Sequence, residues 1–186
     1  MINNIMKTLY LVALFMLVIT IVLIVNRRII NENNIRIDPN VILSPACGYI
    51  SEIKNESDGF IRITIILNIF DNHDQWIPCS GIVKNKKYKS GEFNIVYLLE
   101  KSQLNERLDT LIQSPYGLIG ISQIAGMLFR SIESNIKMNE QVNQGAKLGH
   151  IKFGSRVDIY VPDSTKMLVK KGNRVKGPET ILAIWK

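Results

Sequence analysis

Hydrophobic positions are distributed in two regimes along this chain. From Leu9 to Val25, "LYLVALFMLVITIVLIV", the sequence carries no charge, and at about 1.5 Å rise per residue it extends roughly 26 Å as a helix. The run continues into "NRRII" without small residues placed for signal cleavage. It predicts one N-terminal transmembrane helix, with residues 1–28 as a membrane anchor. Lys7 precedes the segment and Arg27 and Arg28 follow it, so the positive-inside tendency places the rest of the chain on the cytoplasmic side of a single-pass membrane protein.

Beyond a polar linker over residues 29–40, which contains "NENNIRIDPN", the pattern changes. Apolar residues now come in short runs rich in Ile and Val: "FIRITIILNIF", "EFNIVYLL", "GLIGISQIAGMLF" and "RVDIYV", separated by Gly, Pro and Asn. Residues 41–186 therefore read as one mainly β (α+β) domain. Leu104, Leu108 and Leu111 stand at helical spacing within Ser102 to Ile112, which predicts a short helix or a loop there. The end, "MLVKKGNRVKGPETILAIW", has alternating runs around a Gly-Asn pair, the pattern of a hairpin closing a barrel-like sheet.

Composition narrows the chemistry. The formal net charge is +7, which favours anionic partners, and tethering beside a bilayer favours a membrane surface over nucleic acid. The aromatic and basic interleaving of a nucleic-acid stacking platform is missing. Cys47 and Cys79 are the only cysteines and His73 and His150 the only histidines, with no metal-ligand spacing among them. A cytoplasmic, reducing setting argues against a disulfide.

"KFGSRVDIY", Lys152 to Tyr160, places a Gly-Ser pair immediately before a strand-like alternation. A hydrolase elbow needs glycines two residues to either side of the serine, and Phe153 and Val157 occupy those positions. A second chemistry uses the Gly154–Ser155 bond itself. The serine hydroxyl attacks the preceding carbonyl, the amide becomes an ester, and elimination leaves a pyruvoyl group at a new N-terminus. Glycine suits the position before the serine because it tolerates backbone dihedrals that expose its carbonyl.

"SPACGYI" (Ser44 to Ile50), "LNIFDNHDQWIPCSGIV" (Leu67 to Val83), "NER" (Asn105 to Arg107), "GLIGISQIAGMLFRSI" (Gly117 to Ile132) and "GAKLGHIKFGSRVDIYVP" (Gly145 to Pro162) together resemble the phosphatidylserine decarboxylase family, most of all its short bacterial and archaeal branch. The resemblance runs from about Asp38 to Lys186. It implies self-cleavage between Gly154 and Ser155, a pyruvoyl group formed from Ser155, no metal, and two chains that stay together. It also implies that His73, before Pro78-Cys79-Ser80-Gly81, acts as acid or base, which a side chain with an unperturbed pKa near 6.5 suits. The substrate implied is a serine phospholipid, converted to the ethanolamine lipid and carbon dioxide, with the ketone as electron sink; a homodimer stays open.

The family's first motif is usually Ser-Pro-Ala-Asp-Gly, and Cys47 replaces its aspartate. A neutral thiol neither accepts hydrogen bonds well nor steadies an imidazolium, so Cys47 would substitute only as a thiolate. The alternative is an uncleaved, inactive member that binds lipid or serves a structural role at the membrane. Trp76, where longer members carry a second histidine, is expected to pack rather than to sit at a bilayer surface. Glu106 and Arg107 are expected to form an internal ion pair, and "KNKKYK", Lys84 to Lys89, to form a solvated hairpin tip or to contact anionic head groups.

Overall fold

The computed structural model describes residues 2–26, 37–127, 131–152 and 154–186, and falls into two compact units, Met1–Ile30 and Asn31–Lys186. The first unit is one helix, α1 (Ile2–Asn26), whose described side chains are nearly all exposed. Among the described residues no helix is long and apolar enough to cross a membrane. This corrects the single-pass membrane location expected from residues 1–28. The uncharged run of about 26 Å falls short of a hydrocarbon core of about 30 Å, and Asn3, Asn4 and Lys7 interrupt the first turns. Arg27 and Arg28, on which the cytoplasmic orientation rested, lie outside the described residues, as do positions 29–36 of the expected linker.

The second unit is mainly β. Its strands begin with β1 (Val41–Leu43), β2 (Gly48–Asn55), β3 (Phe60–Ile66), β4 (Asp74–Trp76) and β5 (Gly81–Lys89). The short helix α2 (Leu99–Ser102) precedes β6 (Arg107–Ser114), β7 (Gly117–Ile124), β8 (Ile132–Ser134), β9 (Gln141–Val142) and β10 (Lys147–Ile151). The chain ends with β11 (Arg156–Pro162), β12 (Lys166–Met167), β13 (Arg174–Val175) and β14 (Ile181–Ile184). Eight strands form a curled sheet in the order β13-β2-β3-β11-β7-β6-β5-β9, flanked by three-stranded sheets β1-β14-β12 and β4-β10-β8.

β11 is central. It pairs antiparallel with β3 from Arg156↔Ile66 to Pro162↔Phe60, and with β7 from Arg156↔Ile124 to Tyr160↔Gly120. Period-2 alternation separates its two faces. Val157, Ile159 and Val161 join Ile63, Ile65, Ile119 and Ile121 in the apolar core. Arg156, Asp158 and Tyr160 share the other face with Arg62 and Thr64. There Arg156 donates to Asp158 at 2.8 and 2.6 Å, to the Leu99 carbonyl at 2.9 Å and to Ser102 Oγ at 2.9 Å. Arg62 bonds Glu56 and Glu52 and lies 3.7 Å from Asp158. This ionic layer ties α2 to the sheet.

Three local expectations change. Ser102 to Ile112 is mostly β6 rather than a helix. Leu108, Thr110, Ile112 and Ser114 are buried in strict alternation while Leu104 is exposed, so the period of 2 prevails over the leucine spacing. Lys84 to Lys89 is no hairpin tip but the outer half of β5, where β9 covers only Gly81 and Ile82; lysines suit such an uncovered edge. The C-terminal runs do not form one hairpin: β12 pairs β14, β13 pairs β2, and β14 continues to β1.

Replacing Asp158 by alanine would leave the fully buried Arg156 guanidinium without its carboxylate. A loss of about 3–5 kcal/mol is expected, read as a lower urea midpoint; an Asp158→Asn variant is expected to lose less.

Candidate active site

The Gly154–Ser155 bond lies at the head of β11. Gly154 adopts φ +72, and a side chain there would be strained in that left-handed conformation. Ser155 extends the β11–β3 ladder by one step, because Leu67 N–H donates to its carbonyl at 2.9 Å. Leu67 faces the core, and opposed residues of an antiparallel pair share a face, so the Ser155 side chain points inward. The residue is fully buried, and its hydroxyl has no hydrogen-bond partner among the described residues.

His73 reaches the residue before that bond. Gly154 N–H donates to His73 Nε2 at 3.2 Å, while His73 Nδ1 lies 2.7 Å from the Asp71 carbonyl oxygen. A carbonyl can only accept, so the proton belongs on Nδ1 and the lone pair on Nε2. Asp71 is itself staked: Arg174 Nη2 donates to its Oδ1 at 2.6 Å and Asn68 N–H to its Oδ2 at 2.8 Å. His73's own carbonyl accepts from Gln75 Nε2 at 2.6 Å, and Gln123 Nε2 donates to Gln75 Oε1 at 3.0 Å.

Cys47 is directed elsewhere. Its thiol donates to the Gly177 carbonyl at 3.5 Å; burial, opposed in part by that bond and reinforced by the nearby Asp71 charge, pushes its pKa up to about 11. The thiolate on which substitution for an aspartate depended is therefore disfavoured. Cys79 is raised further, to about 12, by burial. Both thiols are free. Trp76 packs, at 3% exposure, under Gly177.

Asn105, Gly126 and the glutamines escaped the sequence reading. The significance of "NER" lies in its asparagine: Asn105 Nδ2 donates to the Asn94 and Ala125 carbonyls, both at 2.8 Å, and so fixes the loop after β7. Arg107 pairs with Asp109 at 3.3 Å, not with Glu106. A Cβ at Gly126 would lie 1.8 Å from the Gly154 oxygen. Only glycine lets the two backbones approach so closely. "QIAG" was visible as a motif, but periodicity cannot show which backbone it abuts.

On the far side of His73, His150 Nδ1 and Lys147 Nζ each lie 2.9 Å from Asp74 Oδ1. The His150 bond, against some burial and with help from Lys147, holds the Asp74 carboxyl below its usual range. The clefts beside Arg62, Arg107 and Tyr160 lie on the ionic face of the sheet and are not lined by Cys47, His73 or Ser155.

A buried serine at the head of the central strand, preceded by a left-handed glycine and beside a histidine, defines the candidate site of an enzyme. Comparison with known proteins gives the particular class. The sequence model of phosphatidylserine decarboxylase matches residues 23–183. Phosphatidylserine decarboxylase proenzymes are similar: that of Ehrlichia canis (strain Jake) is 43% identical over 155 residues, 79% of this chain and 69% of that protein. Those of Ehrlichia chaffeensis and Rickettsia typhi are 41% and 38% identical, covering 77% and 79% of this chain and 67% and 68% of theirs. The chain belongs to the phosphatidylserine decarboxylase family and is an enzyme of that class.

Two outcomes are expected. Native Cys47 and Cys79 should resist a small alkylating reagent at neutral pH and react only on unfolding, as mass spectrometry would show. The lowered Asp74 pKa contributes stability that is full above the ordinary carboxylate value and lost as pH falls through the lowered one. The stability difference between the unaltered chain and Asp74→Asn should accordingly be largest at neutral pH and vanish on acidification, measured by thermal unfolding.

Proposed function

We propose that this chain cleaves itself between Gly154 and Ser155 and, so matured, converts a serine phospholipid to the ethanolamine lipid and carbon dioxide. One observation carries the reading: a left-handed Gly154, its amide on His73 Nε2, followed by a buried Ser155 hydroxyl with no partner among the described residues. A buried hydroxyl left unbonded is costly and calls for a reason. The relatives' name, proenzyme, speaks for maturation of those proteins.

Ser155 fits a pyruvoyl group. Its carbonyl is already held by Leu67 N–H, a bond that cleavage on its N-terminal side leaves intact. Such a ketone supplies an electron sink for loss of carbon dioxide from an amino acid head group. In forming it, Ser155 Oγ bonds to the Gly154 carbonyl carbon and the Ser155 nitrogen departs with the hydroxyl proton. The Ser155 Cα proton and the Gly154 carboxylate then leave, water enters and ammonia is released. His73 Nε2 is the atom placed to move a proton at this bond and later to protonate the carbon that has lost carbon dioxide.

The new chain, residues 155–186, carries the central β11, and ladders to β3, β7, β2 and β1 hold it to the rest. Exposed Ile69, Phe70, Ile95, Leu98 and Met127 stand on the loops leading to His73, α2 and away from Gly126, and offer apolar surface to a lipid substrate. No metal is invoked. An uncleaved, inactive protein is the less favoured reading, since family and relatives point to the enzyme.

Intact mass of the purified chain tests the proposal. Two species dividing after Gly154, the smaller beginning in pyruvoyl, are expected, and none in Ser155→Ala. His73→Ala should slow cleavage about a hundredfold or more. Cys47→Ala should cleave at the unaltered rate, because a thiol raised to about 11 takes no proton at neutral pH. Gly126→Ala, which drives a methyl group into the Gly154 carbonyl, should not cleave. A single uncut chain after long incubation would overturn the proposal.

A further inference from the structure

Two buried polar atoms stand without a partner on the same face of adjacent strands: Ser155 Oγ and Gln123 Oε1. Both residues are fully buried. Gln123 lies opposite Val157 in the β7–β11 ladder, and Val157 faces the core. Ser155, two residues before Val157 and opposite core-facing Leu67, faces the same way. That makes Gln123 and Ser155 diagonal cross-strand neighbours, not bonded to each other in the structure but at a spacing that long side chains reach across. The other end of the Gln123 amide is fixed, since its Nε2 donates to Gln75 Oε1, and Gln75 Nε2 donates to the His73 carbonyl. The amide is thereby oriented with its oxygen as the free end.

The geometry points to Gln123 as the residue that positions the Ser155 hydroxyl for self-cleavage, its Oε1 accepting the Oγ hydrogen. This inference rests on the cleavage proposed above. Neither other acceptor at the site serves: His73 Nε2 receives the Gly154 amide, and the Cys47 thiol is spent on Gly177. An amide oxygen takes no proton at neutral pH, so Gln123 orients and does not act as base. With the hydrogen held on its side, an Oγ lone pair faces the Gly154 carbonyl carbon. The Oγ–C bond forms, the C–N bond to Ser155 breaks, and the hydroxyl proton passes to the departing nitrogen. The chain Gln123–Gln75–His73 also links Gln123 to the histidine that precedes β4.

The test follows cleavage by intact mass over a range of pH in the full chain, alongside thermal unfolding, for the unaltered protein, Gln123→Met and Gln123→Glu. Methionine matches the length of the side chain but accepts hydrogen bonds poorly. Gln123→Met is expected to slow cleavage at least tenfold with little change in melting temperature. Gln123→Glu is expected to cleave, with a rate that falls on acidification as the carboxylate protonates, a limb added to the one that His73 gives both proteins. Cleavage of Gln123→Met at the unaltered rate would overturn the inference. So would a Gln123→Glu variant that is folded, slow and without that added limb, and if Gln123→Met does not fold this arm decides alone. An unaltered chain that is never cut, indistinguishable from Ser155→Ala, would overturn the cleavage itself and this inference with it.

Discussion

The double pairing of β11 is the constraint from which the site follows. A strand hydrogen-bonded on both sides cannot slip by one residue without turning its core face to the ionic layer. Val157, Ile159 and Val161 on one side and the Arg156–Asp158 pair on the other oppose such a slip together. The ladder continues one step further, through the Leu67 bond to Ser155, and ends at Gly154, whose positive φ breaks the strand geometry. The Gly154–Ser155 bond is thus placed where a rigid sheet meets a bend.

Around that bond, loops are held to the sheet by polar contacts rather than by apolar burial. Arg174 and the Asn68 amide stake Asp71, whose carbonyl orients His73; Asn105 holds Ala125, and so brings Gly126 against the Gly154 carbonyl. These contacts fix the proton on His73 Nδ1 and turn Nε2 toward the Gly154 amide. A main-chain carbonyl gives less charge stabilisation to an imidazolium than a carboxylate.

Arg174 belongs to the segment beyond the proposed cut and Asp71 to the segment before it. The ion pair, like the β2–β13 ladder beside it, spans the two pieces. Maturation therefore need not loosen the histidine loop.

Pattern alone was enough for the mainly β class, because Ile and Val in short alternating runs have few other ways to be buried. Gly154 and Ser155 stood out because a Gly-Ser pair before such a run is chemically unusual, and His73 through its place before Pro78. The leucine spacing of 104–111 misled, since the burial that decides β6 alternates through Leu108, Thr110, Ile112 and Ser114 and leaves Leu111 on the other face. The first helix was misjudged because a run of about 26 Å was taken as long enough for a hydrocarbon core. Which atoms meet was beyond the reach of pattern. The approach of Gly126 to Gly154, the Asp71 carbonyl on His73, the shared face of Gln123 and Ser155, and the burial that keeps Cys47 a thiol all join residues far apart in the chain. Strand register sets these contacts, and register is a property of paired strands that neither strand carries alone.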